Sequence, residues 1–125
     1  MNIEEFREYC LSLPCAEETM PWVQGRNEHN RGFLVFSVAT KWFCVIHVDE
    51  FDFCLLKCPP EQAEELRERY EGVRPGWHMN KRHWNSVYFN SDVSDKEIFD
   101  LVRLAYETTL SKLPKKLRES IVAGK

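Results

Sequence analysis

Gly32-Phe33-Leu34-Val35-Phe36-Ser37-Val38-Ala39-Thr40-Lys41-Trp42-Phe43-Cys44-Val45-Ile46-His47-Val48 is the stretch on which the fold turns. It is dense in β-branched and aromatic residues and, after Gly32, free of Gly and Pro. Two runs of strand length, Gly32 to Thr40 and Lys41 to Val48, meet at a turn near Ala39-Thr40. A third run, Phe51 to Lys57, follows a turn at Asp49-Glu50. Consecutive strands joined by short turns predict a mostly antiparallel sheet. In Phe33 to Val38 and in Trp42 to Val48 both alternating faces are largely apolar. Helices packed on one face leave the other to be covered by long loops or a partner.

The flanks read as helices. Asn2 can cap a first helix in which Ile3, Phe6, Cys10 and Leu13 recur at helical spacing until Pro14 stops it. Met20 to Val23 is expected to add one short strand, and Gly25 to Arg31 a polar loop. Pro59-Pro60 opens a second helix with Ala63, Leu66 and Tyr70 on one face and Gly72 suited to its C-terminal cap. A last strand is expected over Asn85 to Asn90. Ser94-Asp95-Lys96-Glu97 is a capping box for a long helix, and Pro114 begins a short final helical turn. The order α-β-β-β-α-β-α makes residues 1–125 one α+β domain of two layers, the helices packed on one face of the sheet.

The remaining informative segment is Val73-Arg74-Pro75-Gly76-Trp77-His78-Met79-Asn80-Lys81-Arg82-His83-Trp84. From Gly72 to Ser91 there is no carboxylate, while Arg74, Lys81 and Arg82 are cationic and His78 and His83 can become so. The whole chain carries 17 Lys+Arg against 20 Asp+Glu, a net charge of −3. A basic, aromatic island on an acidic background reads as a local recognition surface, and global charge does not favour coating nucleic acid. The chain opens on Met1-Asn2-Ile3-Glu4-Glu5, so no secretory leader is expected. Five cysteines, an odd number, suggest reduced thiols and a cytoplasmic setting. The longest apolar run, Trp42 to Ile46, is too short for a membrane span, and no membrane partner is expected.

Pro75-Gly76-Trp77-His78-Met79-Asn80-Lys81-Arg82-His83-Trp84-Asn85-Ser86-Val87 resembles the signature of the MmcQ/YjbR family. That pattern runs Pro, any residue, aromatic, His, large apolar, Asn, Lys, any residue, His, Trp, Asn, Ser or Thr, Val. The resemblance extends to the opening helix before Leu13-Pro14, to Lys41-Trp42-Phe43, to Leu56-Lys57-Cys58 and to the closing helix before Leu113-Pro114. It implies a CyaY-like or secretion-chaperone-like fold and a "double wing" mode of DNA binding. Trp77 and Trp42 stand where smaller or other apolar residues are common.

Three chemistries compete with nucleic-acid binding. His78 and His83 with Cys54 and Cys58 mimic a zinc ligand list, but the spacing encloses a whole expected helix, so no metal is assigned. No nucleophile elbow, phosphate loop or ligand triad appears, so neither a catalytic residue nor a cofactor is assigned and the protein is expected not to be an enzyme. The acidic residues Glu4, Glu5, Glu8, Glu17 and Glu18 read as a solvated face. The expected role is therefore nucleic-acid binding, DNA above all, modest in strength and strongly salt-dependent. Arg74, Lys81 and Arg82 would contact phosphates, with Trp77, His78, Asn80 and His83 beside them and Trp84 and Asn85 as structural support. Lys112, Lys115, Lys116 and Arg118 would extend the footprint if they share that side. The alternative is a protein-interaction or chaperone-like homodimeric module using an apolar sheet face.

Overall fold

The six strands among the described residues join one antiparallel sheet in the order β1-β2-β3-β4-β6-β5. The computed structural model describes residues 1–123. The elements run α1 (Ile3–Ser12), β1 (Ala16–Thr19), β2 (Phe33–Val38), β3 (Lys41–His47), β4 (Phe53–Lys57), α2 (Pro60–Arg69), β5 (Val73–Pro75), β6 (Trp84–Tyr88), α3 (Asp95–Ser111) and α4 (Lys115–Ala123). The α+β class and the antiparallel sheet match the sequence expectation. Among the described residues no helix is long and apolar enough to cross a membrane.

The caps follow from side-chain chemistry. Asn2 Oδ1 accepts the Glu5 N–H at 2.8 Å to start α1, and Ser94 and Glu97 form a reciprocal capping box for α3. The end of α2 differs from expectation. The helix stops at Arg69, Gly72 keeps a negative φ, and the Asp92 carboxylate accepts both the Glu71 and Gly72 N–H groups at 2.8 Å. The carboxylate thus takes up the N–H groups of the backbone leaving the helix, which a left-handed glycine would instead have turned back onto the last helical carbonyls.

Three elements depart from the sequence reading. The short extra strand lies at Ala16–Thr19 instead of Met20 to Val23. It is an edge strand with alternating half-buried and exposed residues, so its Glu17 and Glu18 disguised it, whereas Met20 to Val23 is turned by a Val23 N–H to Met20 carbonyl bond. Val73–Pro75, placed in an irregular segment, pairs with β6 as a three-residue edge strand on which Pro75 is tolerated. The short final turn is a nine-residue helix whose Ile121 is buried.

The helices cover one face. Phe6, Cys10, Leu34, Phe36, Phe43, Cys44, Cys54, Leu56, Val87, Ile98, Val102 and Ala105 form the main core there. The opposite face carries a smaller cluster of Phe33, Val35, Val45, Leu55 and Trp84. Among the described residues no α-helix lies over it, and only the single 3-10 turn Asn30–Gly32 borders it. The chain itself covers it, with the 20–32 connection from one side and the 76–83 segment from the other.

Candidate functional site

Those two coverings do not close over the second face, and between them lies a cleft of about 490 Å³. Its floor is Phe33, Val45 and Leu55 from adjacent strands. Trp22, Asn27, His29 and Asn30 wall one side, Trp77, His78 and Met79 the other, and Trp42 completes the lining. That volume falls in the range of small-molecule pockets, and the aromatic lining with a few polar groups is typical of them.

A β-bulge puts Trp42 there. Phe36 pairs with Cys44 but Ser37 pairs with Trp42, leaving Phe43 as the extra residue. Phe43 and Cys44 therefore both enter the helix-side core, and the strand's alternation is reset so that Trp42 turns to the other face. Its ring meets Trp22 edge-on at 5.7 Å, and Trp22 meets Phe33 edge-on at 5.9 Å. Across the cleft the Trp77 ring lies 5.8 Å from Phe33. These rings hold one another in the preferred tilted geometries.

The loop wall is fastened by His47. Its Nδ1 accepts the backbone N–H groups of Asp49 and Glu50 at 3.2 and 3.0 Å, which leaves Nε2 to donate to the His29 carbonyl at 2.7 Å. Gly32 permits this approach, since a Cβ there would sit 2.6 Å from the His47 ring. The His29 ring stacks on His47 at 4.5 Å and bonds Glu50 through Nε2 at 2.7 Å. That bond holds the Glu50 carboxyl below the usual range. His29, His47 and Glu50 bring ligand-type atoms within 4.8 Å of one another. They are nevertheless poor as a metal triad, because both His47 nitrogens are already engaged with backbone.

The island wall is fastened by Trp84 and Ser86. The Gly76 N–H donates to the Trp84 carbonyl at 2.9 Å and the Trp77 N–H donates to Ser86 Oγ at 3.0 Å. Trp84 is buried in the second-face cluster beneath Met79, with the Lys57 ammonium 5.4 Å from its ring. Asn85, 1% exposed, donates to the Ala63 carbonyl at 3.2 Å and accepts from Arg67 Nε at 2.7 Å, tying β6 to α2. Arg67 also donates to the Lys81 carbonyl. Asn80 Oδ1 accepts the Arg82 N–H at 2.9 Å, and Lys81 Nζ donates to the Gly76 carbonyl at 3.0 Å. His78, exposed with φ of 54°, sits in the left-handed region with its ring 4.1 Å from Trp77. Such a conformation persists in a non-glycine residue only where its surroundings impose it.

Of the residues singled out in the sequence, Arg74, Trp77, His78 and Lys81 line one shallow trough of about 470 Å³ beside the cleft, together with Ser86 and Tyr88. The Arg74 guanidinium lies 5.3 Å from the Tyr88 ring, within cation–π range. Arg82 and Asn80 are exposed on the same segment but do not line it, and His83 is half-buried with its carbonyl accepting the Cys58 N–H. Lys112 caps α3, and Lys115, Lys116 and Arg118 ride on α4; both helices pack into the helix-side core and none of the four lines the trough. Cys54 is likewise buried on the helix side, away from exposed His78. The sequence reading missed Trp22, Asn27, His29, Asn30 and Trp42. The available signal was two tryptophans at the start of expected strands, Trp22 just before a polar loop and Trp42 just after a turn, beside His29, Asn27 and Asn30 in that loop.

Comparison with known proteins identifies the family and supports the fold. The family model described as YjbR matches residues 11–108. The Escherichia coli K12 protein YjbR is 32% identical over 124 residues, 98% of each chain, and the E. coli O157:H7 protein YbdF is 27% identical over 122 residues, covering 97% of this chain and 94% of that one. The crystal structure of a Deinococcus radiodurans protein with a DUF419 domain superposes with a TM-score of 0.83 at 26% identity, covering 97% of this chain and 88% of that one. A Pseudomonas syringae crystal structure gives 0.69 at 27% identity, covering 87% and 99%. With its signature segment built as one wall of the cleft, the chain belongs to the YjbR family.

Proposed function

We propose that the protein is a non-catalytic binding protein for nucleic acid, with single-stranded DNA as the favoured form. The observation that carries this reading is the trough, where Arg74 and Lys81 share one surface with Tyr88 and Trp77. Cations beside an exposed ring, Trp77, and a half-buried one, Tyr88, match the way sequence-tolerant binders hold an unstacked strand. A duplex fits less well. Duplex binders commonly neutralise about 6–10 phosphates, and the island has three cations on a chain of net charge −3.

Anisotropy titration of a labelled 12-nucleotide strand and its duplex at low salt tests the reading. The single strand is expected to bind more tightly, with log K falling by roughly 0.7 per contacted phosphate for each unit of log salt concentration. Reversing Arg74 and Lys81 to Glu together should abolish it. Absence of single-strand binding at low salt, or indifference to that double reversal, refutes the proposal. The homodimeric alternative would have to use what the chain's own loops leave open on the second face, the cleft rimmed by Trp22 and Trp77, and sedimentation at assay concentration tests it.

A further inference from the structure

We infer that the aromatic cleft is a preformed receptor for one planar nitrogen-heteroaromatic ring, a single extruded base of the bound strand. The inference rests on the single-strand reading for the tail attached to that ring, and it names the group that the protein reads. Shape comes first. The space is bounded by ring faces and edges, with Trp22 and Trp42 nearly perpendicular at 86° and Trp77 opposite, so its walls are suited to a flat guest. A purely aliphatic guest would leave the polar wall unsatisfied. The Asn30 side-chain amide has no hydrogen-bond partner among the described residues. Asn27 uses only its Oδ1, on the Asn30 N–H, leaving its amide N–H donors available. A base edge presents the matching donors and acceptors, and a polar group that finds its partner only in the complex gives selectivity.

Charge complementarity identifies the tail. Trp77 and His78 line both the cleft and the trough, so the two spaces meet across one ridge. A ring seated in the cleft therefore leaves its sugar and phosphate facing Arg74 and Lys81. The ridge is held by the Trp77 N–H to Ser86 Oγ bond, and the opposite wall by His47 and by the Arg31 Nε to Gly25 carbonyl bond at 2.6 Å. Both walls are in place before any guest arrives, which lowers the ordering cost of binding.

The test compares three probes on the intact protein: a 12-nucleotide strand, the same strand with every base removed, and free nucleosides. Anisotropy reads the strands and tryptophan fluorescence reads the nucleosides. The intact strand is expected to bind at least about tenfold more tightly than the abasic one, in keeping with the loss of one stacked base. Saturable nucleoside quenching at one site is expected, weakened about tenfold by Trp22→Ala, a change at a rim position already 38% exposed. Asn30→Ala should weaken nucleosides unequally. If abasic and normal strands bind alike, the base-receptor inference is overturned and only the phosphate contacts of Arg74 and Lys81 survive from the single-strand reading; if the two strands differ but Trp22→Ala leaves the difference unchanged, the cleft inference alone falls. If nucleosides bind and no strand does, the strand reading falls and the receptor survives. If neither binds, both are wrong.

Discussion

Gly76→Ala sets two effects of opposite sign against each other at the foot of the island. Gly76 does not adopt a positive φ, so alanine is allowed there, and the stiffer unfolded chain alone would stabilise the protein by about 0.4–1 kcal/mol. The new methyl carbon would lie 2.8 Å from Trp84 Cβ and 2.9 Å from the Trp84 carbonyl oxygen. The oxygen and the carbonyl carbon behind it are backbone, and β6 cannot retreat because it is paired with β4 on one side and β5 on the other. The 76–83 segment must lift instead, straining the 2.9 Å bond from the Gly76 N–H to that carbonyl. Overpacking of this kind costs about 1–3 kcal/mol, so the clash wins and the net change is destabilising by roughly 1 kcal/mol. Urea melts give the sum, and amide exchange at Gly76 and Met79 shows whether the loss is local. Gly25→Ala, whose methyl approaches the Trp22 carbonyl oxygen at 3.0 Å and other Trp22 atoms only at ordinary contact of 3.8 Å or more, is the control and should stay within about 0.5 kcal/mol. A Gly76→Ala protein as stable as its parent would refute the claim that close backbone approach fixes this wall.

Truncating Trp84 to Ala removes the largest member of the second-face cluster, and denaturant melts should show a loss of about 3–5 kcal/mol. Thr40, a β-branched residue at φ of 68° in the β2–β3 turn, is strained, so Thr40→Gly should raise the melting midpoint by the equivalent of about 1 kcal/mol despite glycine's entropy. Of the five thiols, exposed Cys15 should react quickly with a disulfide reagent in the native protein. Cys10, Cys44 and Cys54 are buried and Cys58, pushed up to about 11 by burial, should react slowly. Glu50 is held below its ordinary value of 4.5 by His29, so its contribution to stability is present above that pH and lost as the pH falls through the depressed folded value. Glu50→Gln should therefore flatten the acid limb of stability against pH, and an unchanged limb would contradict the pairing.

The helix layer was legible because its signals are local and periodic. Asn2, the Ser94-to-Glu97 box and the spacing of Ile98, Val102 and Ala105 each fix a helix without reference to distant residues. The double apolarity of β2 and β3 also showed that a second covering was needed. What covers it was not legible. The loop wall depends on His47 reaching the His29 carbonyl eighteen positions away, and the island wall on Ser86 and Trp84 reaching back nine and eight positions. Neither leaves a periodic trace. The bulge at Phe43 was hidden for a related reason, since an unbroken apolar run such as Trp42 to Ile46 reads the same in either phase. Hence the island appeared as a charged surface, while its larger consequence, a cleft shared with Trp22 and Trp42, required the register.

This division of labour bears on where binding belongs. The helix-side core contains most of the buried apolar residues and gives the domain its stability. The second face has only five buried members and relies on side-chain-to-backbone bonds from His47, Asn27, Asn80, Lys81 and Ser86. Such bonds each contribute modestly to folding, about 1 kcal/mol, but they fix direction. A surface held this way is rigid in shape yet nearly independent of the main core. Substitutions at Trp22, Asn30 or Arg74 can then change what is bound while leaving the fold almost untouched, and the reverse holds for Ile98 or Val102.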